Sequence, residues 1–124
     1  MRYISTDKAP KAIGPYSQAI ETDSMLFCSG QIGLDPVSGE LAEGLDNQVT
    51  QALANLKGLV ESSGYNMEGI IKTTLFLTNM ADFAKVNEIY GSFFSAHRPA
   101  RSTVCVLALP KGAMFEIEAI VIKS

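Results

Sequence analysis

Residues 101–122, RSTVCVLALPKGAMFEIEAIVI, contain two apolar segments separated by the turn-like tetrapeptide PKGA. Both segments are rich in residues that favour strands, and we interpret them as a hairpin of two strands. The only charged residues within these two strands are Arg101, Glu116 and Glu118. A buried charge without a partner costs several kcal/mol. Each of the three therefore needs an ionic partner, a ligand or access to water.

The alternation of side chains along this hairpin predicts two different faces. One face is purely apolar and is expected to lie under the helices: Ser102, Val104, Val106, Ala108, Phe115, Ile117, Ala119 and Val121. The other face carries Arg101, Thr103 and Cys105 together with Glu116 and Glu118. Because two helices cannot cover both sides of the sheet, the second face is expected to pack on other subunits.

The predicted hairpin also fixes a distance. On one face, Arg101 and Glu116 are offset by about six residues, or ~20 Å at the rise of a strand. A small ligand cannot bridge that gap. If both residues serve one ligand, they are therefore expected to come from different subunits.

The rest of the chain predicts an α+β fold in a single domain, residues 1–124, with both helices on one face of the sheet. Apolar residues at helical spacing predict helices over 45–62 and 81–96, and Gly64 is a typical helix stop. Further strands are predicted in three segments: GPYSQAIET (14–22), SMLFCSGQIG (24–33) and IIKTTLFLT (70–78).

Composition narrows the functional classes. The 124 residues are 47% hydrophobic and 19% charged, with a net charge of −3, so a nucleic-acid partner is not expected. No apolar run approaches the ~20 residues that span a bilayer, and the polar start lacks a signal-like core, so no membrane association and a cytoplasmic location are expected. Cys28 and Cys105 lie in apolar runs and are predicted to be buried and unpaired.

The available chemistry points to a site without metal or cofactor. The single histidine, His97, is predicted to lie in a surface loop, and no metal-ligand spacing or phosphate-binding loop is present in the sequence. An arginine fork such as that of Arg101 suits a small carboxylate, and a carboxylate such as Glu116 suits a general base. From spacing alone, a structural ion pair between these two residues is an equally good interpretation, and the role of Glu118 is left open.

Five segments cover nearly the whole chain: GPYSQA, SGQIGLDPVSGE, QALANLKGLVESSGY, KTTLFLTNMADFAKVNEIY and RPARSTVCVLALPKGAMFEIEAIV. In this order they resemble the Rid (YjgF) family, whose best-known members are reactive intermediate deaminases. The resemblance implies a chorismate-mutase-like fold, with one mixed sheet of about six strands, and a homotrimer with sites between subunits. It also implies hydrolysis of 2-imino acids, such as 2-iminobutanoate and 2-iminopropanoate, to 2-oxo acids and ammonia.

The resemblance also implies roles for individual residues. Arg101 matches the arginine that binds the substrate carboxylate, and Glu116 matches the carboxylate that orients or activates water. Positions that line the family's pocket match Tyr16, Ser29 and Gly30.

For two further positions the resemblance is less direct, because Asn87 has an alternative interpretation and Thr103 differs from the residue that is frequent in the family. Asn87 matches a family asparagine near the interface, although a satisfied polar group on a buried helix face is an equally good interpretation. Thr103 occupies a substrate-binding position that is often cysteine in the family. Contacts through the backbone survive this change, whereas thiol-dependent behaviour does not.

Two other functions are compatible with the same resemblance. Some relatives are described as ribonucleases or translation inhibitors, which the acidic net charge disfavours. The other is a non-enzymatic holdase or a sensor of small carboxylates, for which the pocket would be a ligand site only. A sensor would need Arg101 but not the base Glu116.

Overall fold

The computed structural model describes residues 1–123, and this part of the chain forms six strands and two α-helices. In chain order these are β1 (Arg2–Ile4), β2 (Ala19–Thr22), β3 (Met25–Gln31), α1 (Leu45–Ser62), β4 (Ile70–Leu77), α2 (Phe83–Phe94), β5 (Ala100–Cys105) and β6 (Phe115–Ile122). The strands form one mixed sheet in the order β1-β2-β3-β6-β4-β5, in which only β4 and β5 are parallel. The predicted α+β, chorismate-mutase-like architecture with both helices on one face is confirmed.

The helices follow their apolar periodicity. Helix α1 has the predicted bounds and buries the predicted face, and Gly64 follows it with a φ of +86° that a residue with a side chain rarely adopts. Helix α2 is shorter than predicted because residues 80–82 form a 3-10 turn before it. At its other end, the positive φ of Ser95 (57°) stops the helix.

The predicted hairpin is wrong. Strand β5 pairs in parallel with β4, whereas β6 lies on the other side of β4 and pairs antiparallel with both β3 and β4. The tetrapeptide PKGA contains a 3-10 turn at 110–112 that leads into β6, but it does not join neighbouring strands. The chain between β5 and β6 therefore crosses the end of β4 instead of turning back on itself.

Because of this connection, the two faces of β5 are not oriented as the hairpin predicts. The predicted helix-covered residues of β6 are correct, since Phe115, Ile117, Ala119 and Val121 are all buried in the core. In β5 the assignment is reversed: Arg101, paired in register with the buried Thr73 of β4, contacts rings of α2. Arg101, Thr103 and Cys105 thus share the helix side, while Glu116 and Glu118 lie on the opposite side.

The opposite side of the sheet, which we call the open face, is uncovered in this subunit. Its side chains are a mixture of apolar and charged residues, and several large apolar ones are more than a third exposed, including Phe27, Val104 and Ile122.

The two cysteines differ. Cys28 is buried as predicted, but Cys105 is exposed at the end of β5, so that prediction is wrong; both are free thiols. His97 follows α2 and is half-buried, with its Nε2 atom 2.7 Å from the carbonyl oxygen of Ile70. None of the helices within residues 1–123 has the length and apolar character needed to cross a bilayer.

Candidate active site

Four of the predicted site residues line one cavity of about 590 Å³ at the edge of the open face. These are Tyr16, Ser29, Gly30 and Glu116, and the cavity, which we call the Glu116 cavity, also contacts Glu118. Its other walls come from the segment before β2 and from the turn before β6. The structure therefore brings the predicted base together with three of the predicted pocket residues.

Gly30 lies close against the carboxylate of Glu116. A Cβ atom placed on Gly30 would lie 2.0 Å from Oε2 of Glu116, closer than any real contact. The pairing of β3 with β6 is irregular between Cys28 and Gln31, so the backbone at 29–30 leaves the regular ladder beside the carboxylate. A side chain at position 30 would therefore displace the carboxylate of Glu116 from the position that it occupies here.

The wall of the Glu116 cavity is fixed by one buried amide. The side chain of Gln18 is 4% exposed and bonds the backbone of the preceding segment four times. Its Oε1 atom accepts from the Thr6 amide at 2.7 Å, and its Nε2 atom donates to the carbonyls of Thr6, Ala9 and Pro10 at 3.0, 3.3 and 2.8 Å. These bonds hold the segment that leads to Tyr16 against the sheet.

Ser29 is fixed in the same way. Its hydroxyl donates to the carbonyl of Ser17 at 2.6 Å, and its amide donates to the carbonyl of Gln18 at 2.9 Å. The strand β3 and the segment before β2 are thus tied together on the floor of the cavity.

Glu116 is electrostatically suited to proton transfer. Burial raises the pKa of its carboxyl above the ordinary glutamate value, and the negative charge of Glu118 raises it further. A carboxylate with a raised pKa is a stronger base once it is ionised.

The other predicted residues lie on the helix side, in what we call the Arg101 cluster. It comprises Arg101 and Thr103 of β5 with Phe83, Asn87 and Tyr90 of α2, which share one helix face by their spacing of four and three residues. The guanidinium carbon of Arg101 lies 5.0 Å from the ring centre of Tyr90 and 5.6 Å from that of Phe83. Among residues 1–123, Arg101 has no ion pair and no hydrogen bond, so its donors are free for a ligand.

This cluster has unmatched polar atoms. Oγ1 of Thr103 and Oδ1 of Asn87 are buried and have no hydrogen-bond partner within residues 1–123, and the same is true of Oδ2 of Asp82 at the start of α2. Most buried polar atoms in proteins are hydrogen-bonded, so these atoms are open to a partner beyond the described residues, such as water, a ligand or another subunit. The interpretation of Asn87 as a satisfied core group therefore does not hold for its Oδ1 atom within residues 1–123.

Arg101 and Glu116 do not meet in one subunit, which excludes the structural ion pair between them. Their strands are separated by β4, and Arg101 lies level with Ala119, three residues from Glu116. Two strand spacings of about 4.8 Å and three residues of about 3.3 Å place their Cα atoms roughly 14 Å apart, on opposite faces. This distance replaces the ~20 Å offset predicted from the hairpin. Because the two side chains lie on opposite faces, they still cannot bind one small ligand within a single subunit.

Sequence reasoning did not single out two residues of these regions. Gln18 was part of a recognised segment, and its signal was a long amide side chain at the start of an apolar strand. Tyr90 is predicted only as a core residue. Its spacing of three residues from Asn87 places both on one helix face, and this spacing could have indicated that it lies near the site. Within residues 1–123, no group of three or more potential ligands is arranged to hold a metal ion.

Comparison with known proteins identifies the family. A family model described as endoribonuclease L-PSP matches residues 6–123. The chain is 47% identical over 123 residues to a mouse protein named 2-iminobutanoate/2-iminopropanoate deaminase, covering 98% of this chain and 91% of the mouse protein. It is 48% identical over 121 residues to a RutC family protein of Pyrococcus horikoshii, covering 97% and 96% of the two chains.

Solved structures agree with this result. The crystal structure of E. coli TdcF with bound serine superposes with a TM-score of 0.96 at 43% identity and covers 100% of both chains. The chain therefore belongs to the endoribonuclease L-PSP family, also called the Rid or YjgF family. The names of its relatives differ, from deaminase to RutC family protein, so membership alone leaves the reaction open.

Proposed function

We propose that this protein hydrolyses small 2-imino acids, such as 2-iminobutanoate and 2-iminopropanoate, to 2-oxo acids and ammonia. The observation that carries the proposal is a pair of unused groups: an arginine with free donors and a carboxylate with a raised pKa beside a cavity. The names of the mammalian relatives, all about 47% identical, support the same reaction.

In this proposal Arg101 binds the substrate carboxylate. Its planar fork donates two parallel hydrogen bonds to a carboxylate, which fixes the orientation of the neighbouring C2 carbon. Asn87 and Thr103 lie in the same cluster and add contacts with the substrate. Tyr16, Ser29 and Gly30 line the other wall.

Glu116 acts as the base. The protonated imine is already electrophilic at C2, so water adds there while Glu116 takes one of the water's protons. The product of addition carries a hydroxyl and an amino group on C2. Glu116 then returns the proton to the amino nitrogen, the C2–N bond breaks to release ammonia, and the ammonia takes up the hydroxyl proton to give ammonium and the 2-oxo acid. No metal, cofactor or covalent intermediate is required for these steps.

The site is shared between subunits in a homotrimer. The support is the separation of Arg101 and Glu116 on opposite faces of one sheet, together with the exposed apolar side chains of the open face and the unpaired polar atoms of the Arg101 cluster. An adjoining subunit covers the open face and brings its own half-site to the one opposite.

The activity is tested by generating 2-iminobutanoate enzymatically and measuring 2-oxobutanoate and ammonia with and without this protein. We expect faster release with the wild type and a loss on the order of 10²-fold for Arg101→Ala, which no longer positions the substrate. Mass measurement checks that the variant assembles normally. Equal release with and without the wild-type protein would refute the proposed reaction.

The shared site is tested by mixing two inactive variants. Arg101→Ala and Glu116→Ala are unfolded and refolded together in equal amounts, and mixing is verified by native mass spectrometry. If each site takes its arginine and glutamate from different subunits, a site is intact with a chance of one half times one half, so about a quarter of the activity returns. No recovery in mixed assemblies would place both residues in one subunit.

The family description favours a second candidate, an endoribonuclease. The net charge of −3 argues against a strong electrostatic attraction to RNA. The two candidate functions are compared by measuring RNA cleavage with the same two variants. RNA cleavage that survives in Glu116→Ala and Arg101→Ala would belong to another site. A pure holdase or carboxylate sensor would bind 2-oxobutanoate but leave imine hydrolysis at the background rate.

A further inference from the structure

The guanidinium of Arg101 is supported by an aromatic side chain that is itself fixed. Tyr90 is 5% exposed, and its ring centre lies 5.0 Å from the guanidinium carbon, the distance of a cation–π contact. Its hydroxyl lies 2.8 Å from Oγ1 of Thr73, which is fully buried. Thr73 is also the residue of β4 that pairs with Arg101 in the sheet.

These contacts connect Arg101, Thr73 and Tyr90 to one another. The backbone of β5 is registered on β4 at Thr73, the hydroxyl of Thr73 fixes the ring of Tyr90, and that ring lies against the side chain that β5 carries at Arg101. An exposed arginine has many rotamers, and ordering it in one costs free energy on binding. A ring held in place reduces that cost before a ligand arrives.

We propose that Tyr90 is a positioning residue that holds Arg101 in the conformation that binds a carboxylate. The inference rests on the proposed function for the identity of the ligand, but the position of the guanidinium is independent of any reaction. The ring supports one side of the guanidinium and leaves the N–H groups at its edge free to donate to a carboxylate.

The test compares three variants of helix α2. Tyr90→Leu removes the ring, Tyr90→Phe keeps the ring and removes the bond to Thr73, and Phe94→Leu is the control. Phe94 is equally buried (5%), packs on Tyr90 with ring centres 4.6 Å apart, and is not among the described rings that make a cation–π contact with Arg101. Tyr90→Met replaces the leucine variant if the latter does not assemble.

Two readouts are measured on each variant. The first is the Kd of 2-oxobutanoate, by calorimetry, with KM and kcat for imine hydrolysis on the same samples. The second is the ¹H–¹⁵N signal of the Arg101 side chain, identified by its loss in Arg101→Lys. We expect Tyr90→Leu to raise Kd and KM about 5- to 20-fold with little change in kcat, and to move the signal toward that of a free arginine. Tyr90→Phe should change Kd less than about threefold.

The outcomes separate this role from the proposed reaction. If Tyr90→Leu binds as the wild type does, or if Phe94→Leu weakens binding equally, the positioning role is overturned. If the wild type binds 2-oxobutanoate through Arg101 but hydrolyses no imine, the proposed function fails while the Kd and the signal still support the role of Tyr90. If Arg101→Lys binds as tightly as the wild type, Arg101 has no carboxylate to be positioned for, and the inference is overturned.

Discussion

The Glu116 cavity and the Arg101 cluster differ in how their polar groups are satisfied. In the cavity wall, one chain supplies every partner for Gln18 and Ser29, through backbone groups up to 12 residues away. In the cluster, buried polar atoms of Thr103 and Asn87 have no partner within residues 1–123. The polar groups of the cavity wall are thus satisfied within a single subunit, whereas those of the cluster have no partner among the described residues. Stability measurements should therefore respond differently to polar substitutions in the two regions.

The largest effect is expected from Gln18→Ala in the cavity wall. The change removes an amide that makes four hydrogen bonds and leaves several buried backbone groups unpaired. We expect a loss of about 3 kcal/mol in the free energy of unfolding, measured with denaturant. Gln51→Ala is the control, since the partly buried Gln51 donates one side-chain hydrogen bond, from Nε2 to Oδ1 of Asn55 at 2.8 Å. Equal stability of the two variants would contradict the assignment of Gln18 as an anchor.

A matched pair of threonines on the helix side of the sheet sharpens the comparison. Thr73→Val removes the partner of the buried Tyr90 hydroxyl and should cost about 2 kcal/mol. Thr103→Val removes a buried oxygen that has no partner, so it should cost close to nothing or stabilise an isolated subunit. Thermal unfolding of both variants, at concentrations where subunits are separate and where they are assembled, provides the measurement. A large loss for Thr103→Val only in the assembled protein would identify the adjoining subunit as the missing partner.

The smallest effect is a shift in pH dependence. If ionised Glu116 is the base, kcat/KM should rise with pH around a midpoint above the ordinary glutamate pKa, because burial and then Glu118 raise the pKa. Glu118→Gln removes the second cause, so the rise should move to lower pH. A profile that is unchanged in Glu118→Gln would mean that the two carboxyls do not interact.

The same raised pKa has a consequence for folding. A carboxyl whose pKa is higher in the folded state stabilises the protein while it is protonated, and that contribution is lost as pH rises through the raised pKa. Glu116→Gln should therefore be more stable than the wild type above that range, even though the proposed mechanism predicts that it loses activity.

The helices and most strands could be predicted because their apolar periodicity is local. Helix α1 could be predicted with its observed bounds because apolar residues recur along it at helical spacing, and most of them are buried in the structure. Strand β1 was not predicted, since Arg2–Ile4 is only three residues long and two of them are exposed. Its pairing with β2 depends on contacts that a short pattern does not encode.

The candidate site could be predicted as a set of residues but not as an arrangement. Alternation fixes which residues of one strand share a face, but the relation between two strands depends on how they are connected. Assigning PKGA as a hairpin turn put Arg101 on the face of Glu116, whereas the parallel pairing of β5 with β4 puts it on the other. The contact of Gly30 with Glu116 depends on an irregularity in β3, which no pattern of apolar residues reveals.

The position of β6 has a consequence for how the chain folds during synthesis. This strand follows all other elements in chain order, yet it lies between β3 and β4 near the middle of the sheet. While the ribosome adds ~5–20 residues per second, β1–β3 and β4–β5 remain two separate groups of strands with unpaired edges until β6 is made. A nascent chain that stops before residue 115 therefore lacks the strand that joins its halves, and it presents two open edges to chaperones and to other nascent chains.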